Sequence, residues 1–246
     1  MFLVEVMGDI FDILIVVIVL GVIVGSYLYR KFYYIPYKNN IIKKYLLEIN
    51  PNISYTFEDN KSGFKEFNKQ YKLINLASSF NLTDIIVDDD MKSFDLHATH
   101  TQSSGKTTTT ITDFKGRFYD LAINTKYECD FILKEETFNR APEGFTLLDL
   151  ELTAFNKKFN LYVSDREAAH HFFTPYSIKR LVELEENCDG ALIFAYINDH
   201  LYFGVNDNSN FFEGLKTKEE VQGEYIKQRD KILGFKELLE RVEVKE

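Results

Sequence analysis

The sequence predicts an α+β fold: an antiparallel sheet with helices packed on it, preceded by one N-terminal transmembrane helix. Three observations predict it. Residues 13–29 carry no charge. The hydrophobic period changes from helical to alternating near Phe94. Strand-like and helix-like segments then fall into separate blocks, the pattern of α+β more than of α/β proteins.

The uncharged run Ile13–Tyr29, ILIVVIVLGVIVGSYLY, has 17 residues and spans about 25 Å as a helix. Ile10 and Phe11, across Asp12, extend it towards the roughly 30 Å of a hydrocarbon core. The run is apolar all round, where a soluble helix of this length shows a polar face. A cleaved signal peptide fits poorly, because the preceding residues are acidic and no A-x-A-like site follows. The chain is therefore divided into a short extracytoplasmic tail (1–9), a transmembrane helix (10–29), a basic juxtamembrane helix (30–50), an α+β domain (51–216) and a charged C-terminal helix (217–246).

Arg30, Lys31, Lys38, Lys43 and Lys44 follow the run, and no basic residue precedes it. The positive-inside rule then predicts a single-pass cell-membrane protein with its N-terminus outside and its C-terminal domain cytoplasmic. Tyr27, Tyr29, Tyr33 and Tyr34 suit an aromatic belt, and the five cations suit the anionic surface of the bilayer, at about 1 kcal/mol each. Gly21 and Gly25 form a GxxxG that permits a homodimer, although glycine is common in membrane helices generally.

Beyond the anchor, Pro36 is expected to start a juxtamembrane helix. Ile41, Ile42, Tyr45, Leu46 and Ile49 fall on one helical stripe, which Asn50-Pro51-Asn52 ends. A strand is expected at 53–57 and a second helix at Phe64–Phe80. Phe94, Leu96 and Ala98 alternate with polar neighbours as in a strand, and Thr107–Thr112 pairs with it across Ser103-Ser104-Gly105. Further strands are expected at Phe114–Ile123, Phe131–Leu133 and Phe159–Val163. A helix capped by Ser164 runs over Asp165–Phe173, and Thr174-Pro175 opens another that reaches Glu186. Ala191–Tyr196 and His200–Val205 form a hairpin about Asn198-Asp199, and an amphipathic helix follows Lys218.

The composition, 45% hydrophobic and 27% charged, is that of a globular protein. The net charge of −9 divides unevenly: −3 over residues 1–29, +5 over residues 30–44 and −11 over the rest. An acidic domain repels phosphate backbones, which disfavours nucleic acid as a partner. Cys129 and Cys188 do not make a disulfide framework, and so low a count suits a reducing compartment.

Signatures of chemistry fail one by one. Ser104-Gly105-Lys106-Thr107 has the end of a P-loop, but His100 stands where its first glycine belongs and a strand follows. His97 and His100 face opposite sides of a strand, and His170 and His171 diverge around a helix, so no metal site is expected. Asp84 and Asp88-Asp89-Asp90 lack the spacing of a calcium loop and read as a solvated turn. No motif surrounds either cysteine or Ser164, and no cofactor is implied. His97, His170 and Asp165 stand as the weak candidates for a site assembled from distant positions.

Residues 94–213 resemble the DUF3137 family, bacterial membrane-associated proteins of unknown function. Phe114-Lys115-Gly116-Arg117-Phe118 is similar to that family's F-K-G-x-F strand. Residues 154–165 are similar to its F-E-x-x-F-x-V-x-S-x-D segment, with Asn156 where an acid is usual. Phe173-Thr174-Pro175 resembles its L-T-P junction, and Phe212-Glu213 its terminal F-E. The resemblance implies no activity and no catalytic residue. It implies two membrane helices in many members, where this sequence has one. Three functions follow as expectations: a membrane-tethered cytoplasmic interaction module with a protein partner, an enzyme with an unrecognised site, and a ligand or lipid sensor built on an apolar cavity.

Overall fold

The computed structural model describes residues 2–58, 63–89, 91–123, 127–135, 141–214 and 216–242. The chain begins with helix α1 (Phe2–Tyr29), which continues without a break through a π turn at Arg30–Tyr34, α2 (Ile35–Tyr37), a second π turn at Lys38–Ile42 and α3 (Lys43–Leu47). Pro36 therefore does not start a helix. Proline lacks the N–H of an i→i−4 bond, and here the first π turn precedes it, with the Ile35 N–H donating to the Arg30 carbonyl five residues back.

From Ile13 onward α1 is exposed, an apolar rod of high mean hydropathy (2.3) long enough to cross a membrane. The far end of the same helical run is different. Ile42 and Leu46 are fully buried against the domain, with Tyr34, Ile35, Tyr45 and Ile49 packed beside them. The apolar helix thus runs directly into the core as a stalk.

Among the described residues nine strands form one antiparallel sheet, in the order β1-β2-β3-β4-β9-β8-β5-β7-β6. They are β1 (Ser54–Glu58), β2 (Ser79–Asp88), β3 (Met91–Ser104), β4 (Thr107–Ala122), β5 (Phe131–Lys134), β6 (Thr146–Leu148), β7 (Asn160–Val163), β8 (Ala191–Ile197) and β9 (His200–Asn206). Helices α4 (Phe64–Tyr71), α5 (Thr153–Lys158), α6 (Arg166–Phe172), α7 (Pro175–Glu186) and α8 (Lys218–Val242) complete it. The α+β expectation and its antiparallel sheet hold.

Several boundaries differ from the expected ones. The helix at 64–80 stops at Tyr71, where Lys72 turns left-handed, and β2 begins at Ser79. The segments 107–112 and 114–123 are one strand, interrupted only by a register shift opposite Ala98–Thr99. Asp165, not Ser164, caps α6: its carboxylate accepts from the N–H groups of Glu167 and Ala168. The hairpin turns are as expected. Gly105 takes a left-handed φ of 61°, and Asn198 and Asp199 take 52° and 64°, as a two-residue turn of mirror type requires.

Both faces of the sheet are covered, unequally. One carries the stalk, α6, α7 and α8 over Tyr119, Leu121, Phe131, Phe194 and Phe203. The other carries α4 over Phe94, Leu96, Phe118, Ile132 and Ala195. Side chains alternate along a strand, so β3 and β4 supply both faces from neighbouring residues.

Candidate functional site

On the stalk face, ionic side chains meet in the core. Lys38 is fully buried, with Nζ 3.2 and 3.3 Å from the two Asp84 carboxylate oxygens. The same ammonium donates to the Phe212 carbonyl and lies 5.5–5.7 Å from the ring centroids of Tyr34, Phe57 and Phe212. The Tyr55 hydroxyl donates to Asp84 as well. Asp84 reaches this place because β2 breaks register between Thr83 and Ile86, with φ 47° at Asp84 itself.

A second pair adjoins the first. Arg117 donates from Nη1 to the Asp84 carbonyl (2.7 Å) and to Asp95 Oδ1 (3.0 Å), and from Nη2 to Ser93 Oγ (2.8 Å). Asp95 Oδ2 accepts from the Phe211 N–H at 2.6 Å, and the guanidinium lies 4.3 Å from the Phe211 ring centroid. Among the described residues, Arg117 Nε is buried with no hydrogen-bond partner. Burial pushes the Asp95 carboxyl up to about 7, against the opposing pull of Arg117. Burial also raises Asp84 and lowers Lys38, each opposed by the other's charge.

The opposite face holds an open cavity of about 220 Å³. Phe64 and Phe67 from α4, Phe94, Phe118 and Tyr202 from the sheet, and Lys92 line it. The rings touch edge to face and tilted, Phe64 with Phe118 at 5.1 Å and Phe67 with Tyr202 at 4.5 Å between centroids. At its polar end Lys92 and Tyr202 flank Asp120 in register across three strands. Asp120 is engaged by His200 Nδ1 at 2.6 Å. Lys92 has no carboxylate partner among the described residues; its ammonium stands 5.8 Å from the Phe94 ring centroid.

The sequence-predicted residues are scattered. His97 Nε2 meets Thr112 Oγ1 at 3.1 Å on the hairpin, while His170 is exposed on α6 and Asp165 is spent as a helix cap. No described hydrogen bond or ion pair joins these three. Among the described residues no cluster of His, Cys, Asp or Glu could hold a metal ion. Gly21 and Gly25 are open on all sides, and an added Cβ meets nothing within 4 Å. Arg30, Lys31, Lys43 and Lys44 are exposed, with Arg30 paired to Glu58 and Lys31 over the rings of Tyr27 and Phe32. Lys38 is not part of that outward collar. Its helical position turns it inward beside Ile42, four residues on, where Asp84 receives it.

Both polar places were missed in the sequence. Asp95 and Arg117 alternate with large apolar residues, and one-sided alternation assigns such charges to solvent. A sheet buried on both faces reverses that assignment.

The profile of a family described as "Protein of unknown function (DUF3137)" matches residues 112–241. The match starts within β4 and takes in nearly all of α8, a helix outside the segment 94–213 on which the sequence resemblance rested. Among solved structures, the crystal structure of the mycobacterial trehalose monomycolate transport factor A, TtfA, is similar, with a TM-score of 0.47 and 10% identity. That alignment covers 84% of this chain and 96% of the other. No curated protein matches.

Proposed function

The chain belongs to the DUF3137 family, and from that premise we propose that it is a single-pass membrane protein whose domain is a rigidly tethered interaction module at the bilayer surface. One observation carries the reading. A single helical run is apolar and exposed from Ile13 to Tyr29, then buries Lys38, Ile42 and Leu46 in the domain. No flexible linker separates the two parts, so the domain is held at a fixed height and orientation to the membrane. The basic residues Arg30, Lys31, Lys43 and Lys44 lie on the domain side of the run, which supports an N-terminus outside and a cytoplasmic domain. Beyond Thr99 and Thr112 the β3–β4 hairpin extends as an exposed two-stranded ribbon, a surface for a protein partner. Gly21 and Gly25 leave room for a second anchor helix, as a homodimer would need.

Deleting residues 2–29 tests the tether and spares the packed part of the stalk. The truncated domain is expected in the soluble fraction, and persistent membrane attachment would sink the reading. A reporter fused after Glu246 is expected to work only in the cytoplasm; activity on the far side reverses the topology. A photocrosslinker at Ser103, on the ribbon, is expected to give a discrete adduct in intact membranes. No adduct from that position or from Thr108 would remove the ribbon as the partner surface.

A second reading has its own support. The aromatic cavity opposite the stalk is what a ligand sensor requires, an apolar recess with a few convergent polar groups.

A further inference from the structure

We propose that the cavity between α4 and the sheet binds a small anionic amphiphile, a medium-chain carboxylic acid whose carboxylate meets Lys92 and whose chain lies among the rings. The inference rests on the ligand-sensing reading and names its ligand class.

The lining sets the apolar half of that ligand. Phe64, Phe67, Phe94 and Phe118 offer ring faces and edges and no hydrogen-bonding group. The volume of about 220 Å³ holds roughly seven waters at about 30 Å³ each, which limits the chain to about the length of octanoate. Water in such a recess has few polar partners, so an apolar chain displaces it favourably.

Charge selects the head. Aromatic walls alone would also suit a cation. Here, however, Asp120 is already engaged by His200, while Lys92 stands at the same end without a counter-ion among the described residues. An ammonium ligand would meet Lys92 with like charge and find its carboxylate taken. A carboxylate would complete an ion pair that Lys92 lacks among the described residues, and the Tyr202 hydroxyl, two strands away on the same face and without a hydrogen bond among the described residues, can donate to its second oxygen. Burial, with Asp120 next, holds that hydroxyl in its neutral, donating form.

The test uses the full chain in zwitterionic nanodiscs and a diazirine-bearing octanoic acid analogue as photoprobe. Adducts are expected on the peptides that carry Phe64–Tyr71 and Lys92–Phe94. Octanoate should compete and octylamine should not. Lys92→Met should lower labelling of those peptides at least fivefold, and Lys92→Arg should restore most of it, with thermal melts to show that both variants fold. Equal competition by octylamine would overturn the anionic assignment and leave the pocket reading standing. Unchanged labelling of those peptides in Lys92→Met would likewise overturn the anionic assignment alone, and labelling confined to the N-terminal helix would overturn both.

Discussion

The two faces of the sheet put a lysine to opposite uses. On the stalk face Lys38 is sealed among three rings and a carboxylate, and its ion pair closes the joint between the N-terminal helix and the domain. On the other face Lys92 stands at the mouth of an open cavity with no carboxylate ion-paired to it among the described residues, its cross-strand neighbour Asp120 being engaged by His200. Both lie beside phenylalanine rings, so local hydrophobicity does not distinguish them. Whether the charge is answered within the chain does. An answered charge in the core fixes geometry, and an unanswered one beside a recess is available to something else.

The largest expected effect breaks the first half of that contrast. Lys38→Met leaves Asp84 buried with Tyr55 and without its cation. Removing one partner of a buried pair costs about 3–5 kcal/mol, because the other charge stays desolvated. Chemical denaturation of the purified protein should show a loss of that size, and adding Asp84→Asn should recover part of it. A loss below about 1 kcal/mol would mean that Lys38 does not lock the stalk.

Next is the adjoining pair, through its pH dependence. The Asp95 carboxyl has its folded pKa raised from 3.8 to about 7, chiefly by burial. Between those values the folded state binds more protons than the unfolded chain, so this group's contribution falls as pH rises through the window and is level above it. At about 1.4 kcal/mol per unit the slope amounts to on the order of 4 kcal/mol. Comparing stability from pH 4 to pH 7 in the wild type and in Asp95→Asn isolates it. The variant should give a flatter profile, and parallel profiles would show that Asp95 does not titrate there.

On the cavity face, Phe64→Ala should cost about 3 kcal/mol, near the low end for buried aromatics because the site already opens to solvent. Phe64 touches Phe67, Phe80, Phe94 and Phe118, so its loss should free α4 in particular. Hydrogen exchange is expected to rise over Phe64–Tyr71 and to stay unchanged in α3. Equal loosening of both would show that the faces are coupled and not independent.

How much of this was legible in the sequence follows the same division. The long apolar N-terminal helix, both hairpin turns and the Thr174-Pro175 helix start are local patterns, and the structure has each of them. Strand β2 was not, because its register shift at Thr83–Ile86 spoils the alternation and its inward Asp84 and Asp88 imitate a solvated turn. Lys38 was read as a headgroup contact, as any lysine after a membrane helix would be; its partner lies 46 residues away. Helix α4 was drawn too long, since Tyr71 and Ile74 continue the helical spacing and only the left-handed Lys72 stops it. What escaped is what depends on two distant segments meeting.

The smallest expected effect completes the comparison. Lys92→Met removes a charge that no described carboxylate pairs with, on a half-buried side chain whose ammonium has one described partner, the Phe94 ring at 5.8 Å. An exposed cation–π contact is worth about 0.5 kcal/mol, so stability should change by no more than that. The same substitution that collapses the protein at Lys38 should thus be nearly silent at Lys92 in a denaturation curve. A loss above about 2 kcal/mol would place Lys92 in the structural frame, as Lys38 is, and would remove the reason for treating its charge as available to a ligand.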